Sequence, residues 1–200
     1  MYAYEAKNPD GDDEKKLEQK DKQYSTYLVT NKHVFERKDQ VFLRFNSMSG
    51  EPAKIINLPL KTPEGKQIWL GHPDPTKDIA ILPINWQRLT EYSLQILPFL
   101  NDQHVADTAK MKQIQVSEGD FVYVLGFPMG IIGDERNRII VRAGVVSRIQ
   151  DRLAEKSNDF LIDCSIFPGN SGGPVILKPS LPPFVANVIP AVIPQSFCGG

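Results

Sequence analysis

The sequence predicts a mostly-β protein made of two strand-rich units. Its apolar residues come in short runs rich in branched and aromatic side chains, and turn residues such as Ser49-Gly50 separate those runs. No repeat of solenoid length is present, and no heptad pattern persists. Repeat scaffolds and coiled coils are therefore excluded.

The first unit is predicted to follow a charged N-terminal loop or tail over residues 1–23, which contains almost nothing after residue 7 that could enter a core. The unit itself is assigned to residues 24–112. It ends in a crossover from about Trp86 that could hold a short helix. Five apolar runs predict its strands, at residues 27–29, 41–45, 55–60, 68–70 and 79–84.

The second unit is assigned to residues 113–200, with strands predicted at 121–125, 139–149 and 160–164. From about residue 179 the chain is atypically rich in proline, and proline cannot donate to a strand ladder. These prolines argue against central strands there and leave open whether the second unit is complete: Pro179, Pro182, Pro183, Pro190 and Pro194.

Charge and composition narrow the class of partner. Lysine plus arginine number 23 and aspartate plus glutamate 24, so no strong field exists to collect nucleic acid or an anionic membrane surface. No apolar run approaches the roughly 20 residues that a membrane helix needs.

Two cysteines, Cys164 and Cys198, are too few for a disulfide framework. With no leader pattern at the N-terminus, the sequence favours a cytoplasmic location.

A glycine-rich turn around Ser171 is the sharpest chemical signal. The stretch 168–174 reads Pro-Gly-Asn-Ser-Gly-Gly-Pro. A nucleophilic serine needs an exposed tight turn with backbone N–H groups beside it, and glycine permits that backbone. The alternative is a plain turn in which Ser171 only hydrogen-bonds locally.

His33 is the candidate general base, because it alone of the three histidines directly follows a strand-like segment. A rigid element can hold a base within reach of the serine proton. His72 lies in a proline-rich loop and His104 in a polar stretch, so both are expected to be ordinary surface histidines.

Asp78 is the candidate carboxylate that orients the histidine, because it leads directly into the apolar run 79–84. Asp74 competes for this role, but the flanking prolines favour a loop location for it. An aspartate before a strand can also be only a turn cap.

Two other enzyme classes are weighed. Residues 169–173 also match the G-x-S-x-G turn of α/β-hydrolases, but in that fold the acid and then the histidine follow the serine, and no histidine follows His104 here. A metal site would need paired histidines, paired cysteines or dense carboxylates, and no such motif occurs. We therefore expect neither a metal nor another cofactor.

Three segments together resemble the signature blocks of trypsin-like, chymotrypsin-fold serine peptidases. They are residues 30–34, 78–82 and 169–174, in that order. The phrases at 163–168 and 124–128 are most similar to the bacterial HtrA-like branch. The resemblance covers roughly residues 24–178.

The resemblance implies an all-β double β-barrel, with His33 and Asp78 from the first barrel and Ser171 from the second. It implies an oxyanion hole made of the Gly169 and Ser171 N–H groups, and a polypeptide substrate. Ser165, six positions before the serine, would lie at the base of the substrate pocket, which favours cleavage after small or apolar residues. Met1 to Tyr4 would be a remnant of the family's first strand, with the charged stretch as the hairpin loop.

The main alternative to an enzyme is a catalytically silent, protease-like binding module or an inactive fragment. It would keep the same three residues out of register, and catalysis is sensitive to displacements of about 1 Å.

Overall fold

The computed structural model describes residues 22–179 with their side chains, together with the backbone of Tyr2–Glu5 and Val192–Ile193. Its strands are β1 (Tyr2–Glu5), β2 (Tyr24–Thr30), β3 (Gln40–Phe45), β4 (Lys54–Pro59), β5 (Leu70–Gly71), β6 (Ala80–Ile84), β7 (Phe99–Leu100), β8 (Phe121–Gly126), β9 (Ile140–Arg148), β10 (Leu161–Cys164), β11 (Val175–Leu177) and β12 (Val192–Ile193). Its α-helices are short: α1 (Lys32–Phe35), α2 (Trp86–Thr90), α3 (Thr108–Gln113) and α4 (Gln150–Leu153).

The apolar runs of the sequence coincide with strands. Those of the first unit become β2 to β6, and those of the second become β8, β9 and β10. The mixed stretch between the units holds α2 and α3, so the short helix expected there is confirmed. Runs of branched residues bounded by turns were therefore sufficient to locate these strands.

The first sheet has the strand order β5-β6-β2-β1-β7. β1 pairs antiparallel with β2, with Tyr2 opposite Tyr27 and Glu5 opposite Tyr24. The N-terminal residues thus form a strand beside β2, as the resemblance implied. β2 also pairs with β6, which brings Thr30 opposite Ala80 and places the ends that lead to His33 and from Asp78 side by side.

A two-stranded hairpin, β3–β4, lies outside the first sheet but shares its core. Val41 and Leu58 of the hairpin pack against the buried cluster of the first unit. That cluster consists of Phe35, Leu60, Trp69, Ala80 and Leu82.

The second sheet has the strand order β10-β9-β8-β11-β12. β12, in the proline-rich region, is a two-residue strand that pairs only at the sheet edge with β11. This position suits a proline-rich segment, because an edge strand needs fewer N–H donors. Residues 180–191 and 194–200, which include most of these prolines and Cys198, lie outside the described residues.

A separate buried cluster fills the second unit: Ala106, Met111, Val116, Val122, Val124, Val146, Ile149 and Val175. Ala106 and Met111 come from the crossover. Two cores agree with two units, and the division at residue 112 stays a prediction. The mostly-β class is confirmed. Within the described ranges the pairing forms two open sheets and a hairpin, so closure into barrels also stays a prediction.

None of the helices in this part of the chain is both long and apolar enough to cross a bilayer.

Candidate functional site

His33 lies on the one-turn helix α1, directly after β2, and not on the strand end that the sequence suggested. Phe35, 1% exposed, anchors this helix against Trp69, with the ring centroids 5.7 Å apart. The His33 side chain on the same turn stays 56% exposed. A buried anchor thus holds an exposed imidazole.

The Asp78 carboxylate binds His33 through both of its oxygens. Asp78 Oδ2 lies 2.5 Å from His33 Nδ1, and Asp78 Oδ1 accepts a hydrogen bond from the main-chain N–H of His33 at 3.0 Å. The second bond satisfies an N–H group of the first helical turn, which has no partner within its helix. Asp78 therefore fixes both the ring and the backbone of His33.

Burial acts to raise the pKa of the Asp78 carboxyl, but the hydrogen bonds and charge of His33 together outweigh it and hold this pKa below its usual value of 3.8. The carboxylate is consequently ionised at neutral pH. It can hold the Nδ1–H tautomer of His33, which leaves Nε2 free to accept a proton.

Asn31 is a residue of this site that the sequence reasoning missed. It occupies the N-cap position of α1, yet its side chain makes no cap hydrogen bond. Its Nδ2 donates instead to the main-chain carbonyl of Asp78 at 2.8 Å, and the residue is only 4% exposed. An Asn just before the candidate histidine was visible in the sequence, but nothing local indicated a partner 47 positions away.

Ser171 lies exposed on a tight turn between β10 and β11. The N–H of Asn170 donates to Phe167 O at 3.0 Å, and the N–H of Gly173 donates to Asn170 O at 2.9 Å. A strand, β11, follows the turn, which agrees with setting the α/β-hydrolase class aside.

Gly172 brings this turn against the first unit. Its φ is +74°, and a Cβ placed on it would overlap the Thr30 hydroxyl and lie 2.9 Å from Thr30 Cα. Thr30 ends β2, three positions before His33. The serine turn and the histidine helix are therefore neighbours, although no hydrogen bond joins Ser171 to His33 among the described residues.

The N–H groups predicted to form the oxyanion hole have no acceptor in the described part of the chain, because neither Gly169 nor Ser171 donates a main-chain hydrogen bond there. Gly169 has a φ of +98°, and a Cβ there would overlap the carbonyl oxygen of Phe127. Only glycine fits this approach. Among the described residues, no main-chain carbonyl therefore occupies either N–H group.

Asn170 supports the turn from behind and is 0% exposed. Its side chain packs on Gly126, where an added Cβ would lie 3.0 Å from Asn170 Nδ2. Among the residues that the structure describes, neither side-chain polar atom of Asn170 finds a hydrogen-bond partner.

Ser165, the predicted pocket residue, is exposed and follows the end of β10. Burial raises the pKa of the neighbouring Cys164 thiol, against a smaller opposing effect of Arg142. The Arg142 guanidinium stacks on the Phe167 ring at 4.4 Å. A cation therefore lies beside the segment that carries Ser165, which the sequence reasoning did not anticipate.

The competing histidines and aspartate make only local contacts. His72 Nδ1 accepts from the N–H of Asp74 at 3.0 Å, and Asp74 Oδ1 accepts from Thr76. His104 is half-buried and its Nδ1 accepts from the N–H of Leu100 at 2.9 Å. Across the residues with described side chains, no group of three or more potential metal ligands is found.

A family model described as a trypsin-like peptidase domain matches residues 19–178. The chain is 28% identical over 153 residues to a probable periplasmic serine endoprotease, DegP-like, of Chlamydia pneumoniae, and equally to that of Chlamydia trachomatis. The matches cover 75% of this chain but only 24% and 23% of those relatives. The chain thus spans about a quarter of their length.

Solved structures give partial likeness. An HtrA-type protease, AlgW with tripeptide, is 25% identical with a TM-score of 0.41, covering 76% of this chain and 39% of that one. The MamO protease domain from Magnetospirillum magneticum is 14% identical with a TM-score of 0.45, covering 85% and 79%.

The cytoplasmic location expected from the sequence is wrong, because the matching DegP-like relatives are named as periplasmic proteins. The cysteine content and the given N-terminal residues were a poor guide to compartment. The match over residues 19–178 shows that the chain belongs to the trypsin-like peptidase family.

Proposed function

We propose that this chain is a serine endopeptidase in which His33, Asp78 and Ser171 form the catalytic triad. The observation that carries the proposal is the two-point contact between His33 and Asp78, with Nδ1 2.5 Å from Oδ2. The contact of Gly172 with Thr30 supports it, because it brings the serine turn to the end of β2.

In the proposed reaction Ser171 Oγ attacks the carbonyl carbon of a peptide bond, and its proton passes to His33 Nε2. The N–H groups of Gly169 and Ser171 stabilise the resulting oxyanion. His33 then gives the proton to the leaving amine, which leaves an acyl group on Ser171. Water repeats the sequence, with His33 as its base, and releases the acid. Asp78 stays ionised throughout.

The missing hydrogen bond between Ser171 and His33 is compatible with this scheme, since such bonds are often long before substrate binds. It is also the feature that a silent binding module would share. Chemistry on Ser171 therefore decides between the two functions.

The proposed substrate is a polypeptide cut after a small or apolar residue. Ser165 offers no acidic group to a basic side chain, and the Arg142 guanidinium stacked on Phe167 adds positive charge nearby. A lysine or arginine side chain would be repelled there. The names of the relatives, which are endoproteases, support a protein substrate.

We also propose that the two sheets belong to two barrels, the first completed by the β3–β4 hairpin. Leu60, next to β4, is 0% exposed in the first core, so the hairpin is already part of the packing that a barrel would enclose.

Labelling with an alkyl fluorophosphonate tests the triad without knowledge of the substrate. The native chain should be labelled, whereas Ser171→Ala and His33→Ala should not. Ser147→Ala and His72→Ala are matched controls, because both residues are exposed and outside the site. A folded native chain that resists labelling would establish the silent-module function instead.

A further inference from the structure

The β3–β4 hairpin contacts the segment that connects β8 and β9 in the second unit. Asn137 in that segment donates from its N–H to Asn46 Oδ1 at 2.7 Å and from its Nδ2 to Arg44 O at 2.6 Å. Asn46 Nδ2 donates back to Asn137 O at 3.2 Å. These bonds join parts of the chain about ninety positions apart.

Arg44 binds the same segment with its guanidinium. Its Nη1 donates to Gly133 O at 3.0 Å and to Asn137 Oδ1 at 2.9 Å, and its Nη2 donates to Asp134 O at 2.6 Å. The residue is half-buried. A guanidinium presents its donors in a fixed planar fork, so three acceptors on one segment define a single geometry for it.

A glycine in this segment is required for that geometry. Gly133 has a φ of +84°, and a Cβ on it would lie 2.6 Å from Arg136 O. The segment thus makes a tight turn at Gly133, and Arg44 donates to the carbonyl of Gly133 and to the side chain of Asn137.

The other end of the segment contacts the candidate oxyanion hole. The N–H of Ile131 donates to Pro128 O at 3.1 Å, and the N–H of Met129 donates to Pro168 O at 2.6 Å. Gly169, one of the two proposed oxyanion donors, packs on the Phe127 carbonyl. Main-chain contacts therefore run from the segment held by Arg44 to the peptide that precedes Gly169.

We propose that Arg44 is a positioning residue, which sets the N–H of Gly169 through the segment 127–137. The inference rests on the proposed peptidase function, because it assigns a role toward that reaction. Arg44 lies in the first unit with His33, while Gly169 lies in the second. The contact therefore fixes the oxyanion donors relative to the base.

Arg44→Gln is the test variant, since it removes the charged fork and keeps a polar side chain. Alkyl fluorophosphonate is the probe: Ser171 Oγ attacks phosphorus, fluoride leaves, and the proton passes to His33. The labelling rate is measured as a function of the fluorophosphonate concentration. The fit gives the maximal labelling rate and the probe concentration at which half of that rate is reached. We expect the maximal rate to fall roughly 10- to 100-fold, as for a 1 Å misplacement, with that concentration little changed.

Three further variants separate positioning from stability. Arg44→Lys should restore part of the rate, because an ammonium can reach one of the three acceptors. Asn137→Ala should lower the rate and add little to Arg44→Gln, since both act through one contact. Arg152→Gln is the matched control: Arg152 is half-buried and its Nη1 binds Asn158 Oδ1 at 3.1 Å, outside the contact. It should keep the native rate.

A measurement that does not depend on activity distinguishes the positioning role of Arg44 from the proposed peptidase function. The main-chain amide signals of Gly169 and Ser171 are compared by nuclear magnetic resonance in the native chain, Arg44→Gln and Arg152→Gln. We expect them to move in Arg44→Gln only. Unmoved signals, or a loss of thermal stability with an unchanged maximal rate, would overturn the positioning role. Moved signals in a chain that is never labelled would uphold the positioning and overturn the peptidase function.

Discussion

The side chains of Asn31 and Asp78 each hydrogen-bond to the main chain of the segment that carries the other residue. The amide of Asn31 donates to the Asp78 carbonyl at 2.8 Å, and the Asp78 carboxylate accepts the N–H of His33, two positions after Asn31, at 3.0 Å. The end of β2 and the turn before β6 are thereby fastened from both sides. The Asn31 amide thus fixes the main chain of Asp78, whose carboxylate contacts His33.

Asn31→Ala should therefore slow labelling of Ser171 by about 10-fold, because the peptide that carries Asp78 would shift. It should also cost about 1 kcal/mol of unfolding free energy, since the part-buried Asp78 carbonyl loses its donor. Labelling kinetics and denaturant unfolding measure the two effects. Asn57→Ala, which removes an exposed Asn bonded to Gln40, is the control. Equal rates for the two variants would contradict the positioning by Asn31.

Asp78→Asn should lower the maximal labelling rate by roughly 10⁴-fold while the chain stays folded. The amide can donate to His33 Nδ1, which moves the ring proton to Nε2 and removes the base that faces Ser171. Asp74→Asn should keep the native rate, because Asp74 binds only Thr76 and the nearby loop. A rate in Asp78→Asn within a factor of ten of native would exclude Asp78 from the triad.

Ser165→Asp should change the residue preferred before the cut. A carboxylate at this position would attract lysine and arginine side chains, whereas the native serine cannot. Digestion of a peptide library by both chains gives the preference directly. A native chain that already cuts after basic residues would refute the pocket assignment, and so would an unaltered pattern in the variant.

Stability should depend on Glu118 in acid. Hydrogen bonds to the Glu118 carboxylate lower its pKa from 4.5 to about 2. The largest effect comes from the side chain of Gln150, and the N–H groups of Ile149 and Gln150 also donate to this carboxylate. The folded pKa lies below the unfolded one, so the stabilisation is complete above pH 4.5 and is lost as pH falls toward 2.

Glu118→Gln should remove this part of the pH dependence. Thermal unfolding midpoints of native and variant chains should differ most at neutral pH and converge between pH 4.5 and about 2. Glu91→Gln is the control, because Glu91 is exposed and its side chain makes no hydrogen bond within residues 22–179. A constant difference across this range would contradict a role for the ionised Glu118.

The strands were predictable because their signals are local. Branched apolar residues between turns located β2 and β9 without any knowledge of their partners. The three candidate triad residues were proposed from local signals too, from short blocks that each carry their own chemistry. The helix under His33 was missed, since a single turn leaves no periodicity to detect.

What escaped the sequence is long-range. Arg44 was not singled out in the sequence, yet its guanidinium binds a segment about ninety positions away. Asn31 and Arg142 were missed for the same reason, because the local sequence around a polar side chain does not indicate which distant carbonyl or ring it contacts. Barrel closure depends likewise on strand contacts that no local run encodes.

The contact of Gly172 with Thr30 joins a part of the chain that is synthesised early to one that is synthesised late. The ribosome delivers the His33–Asp78 half first and the serine turn only after β10 has emerged. A chain stalled before β8 would hold an imidazole and its carboxylate with no hydroxyl to activate. Under the proposed function, incomplete copies therefore lack peptidase activity, which arises only once both halves have folded and are in contact.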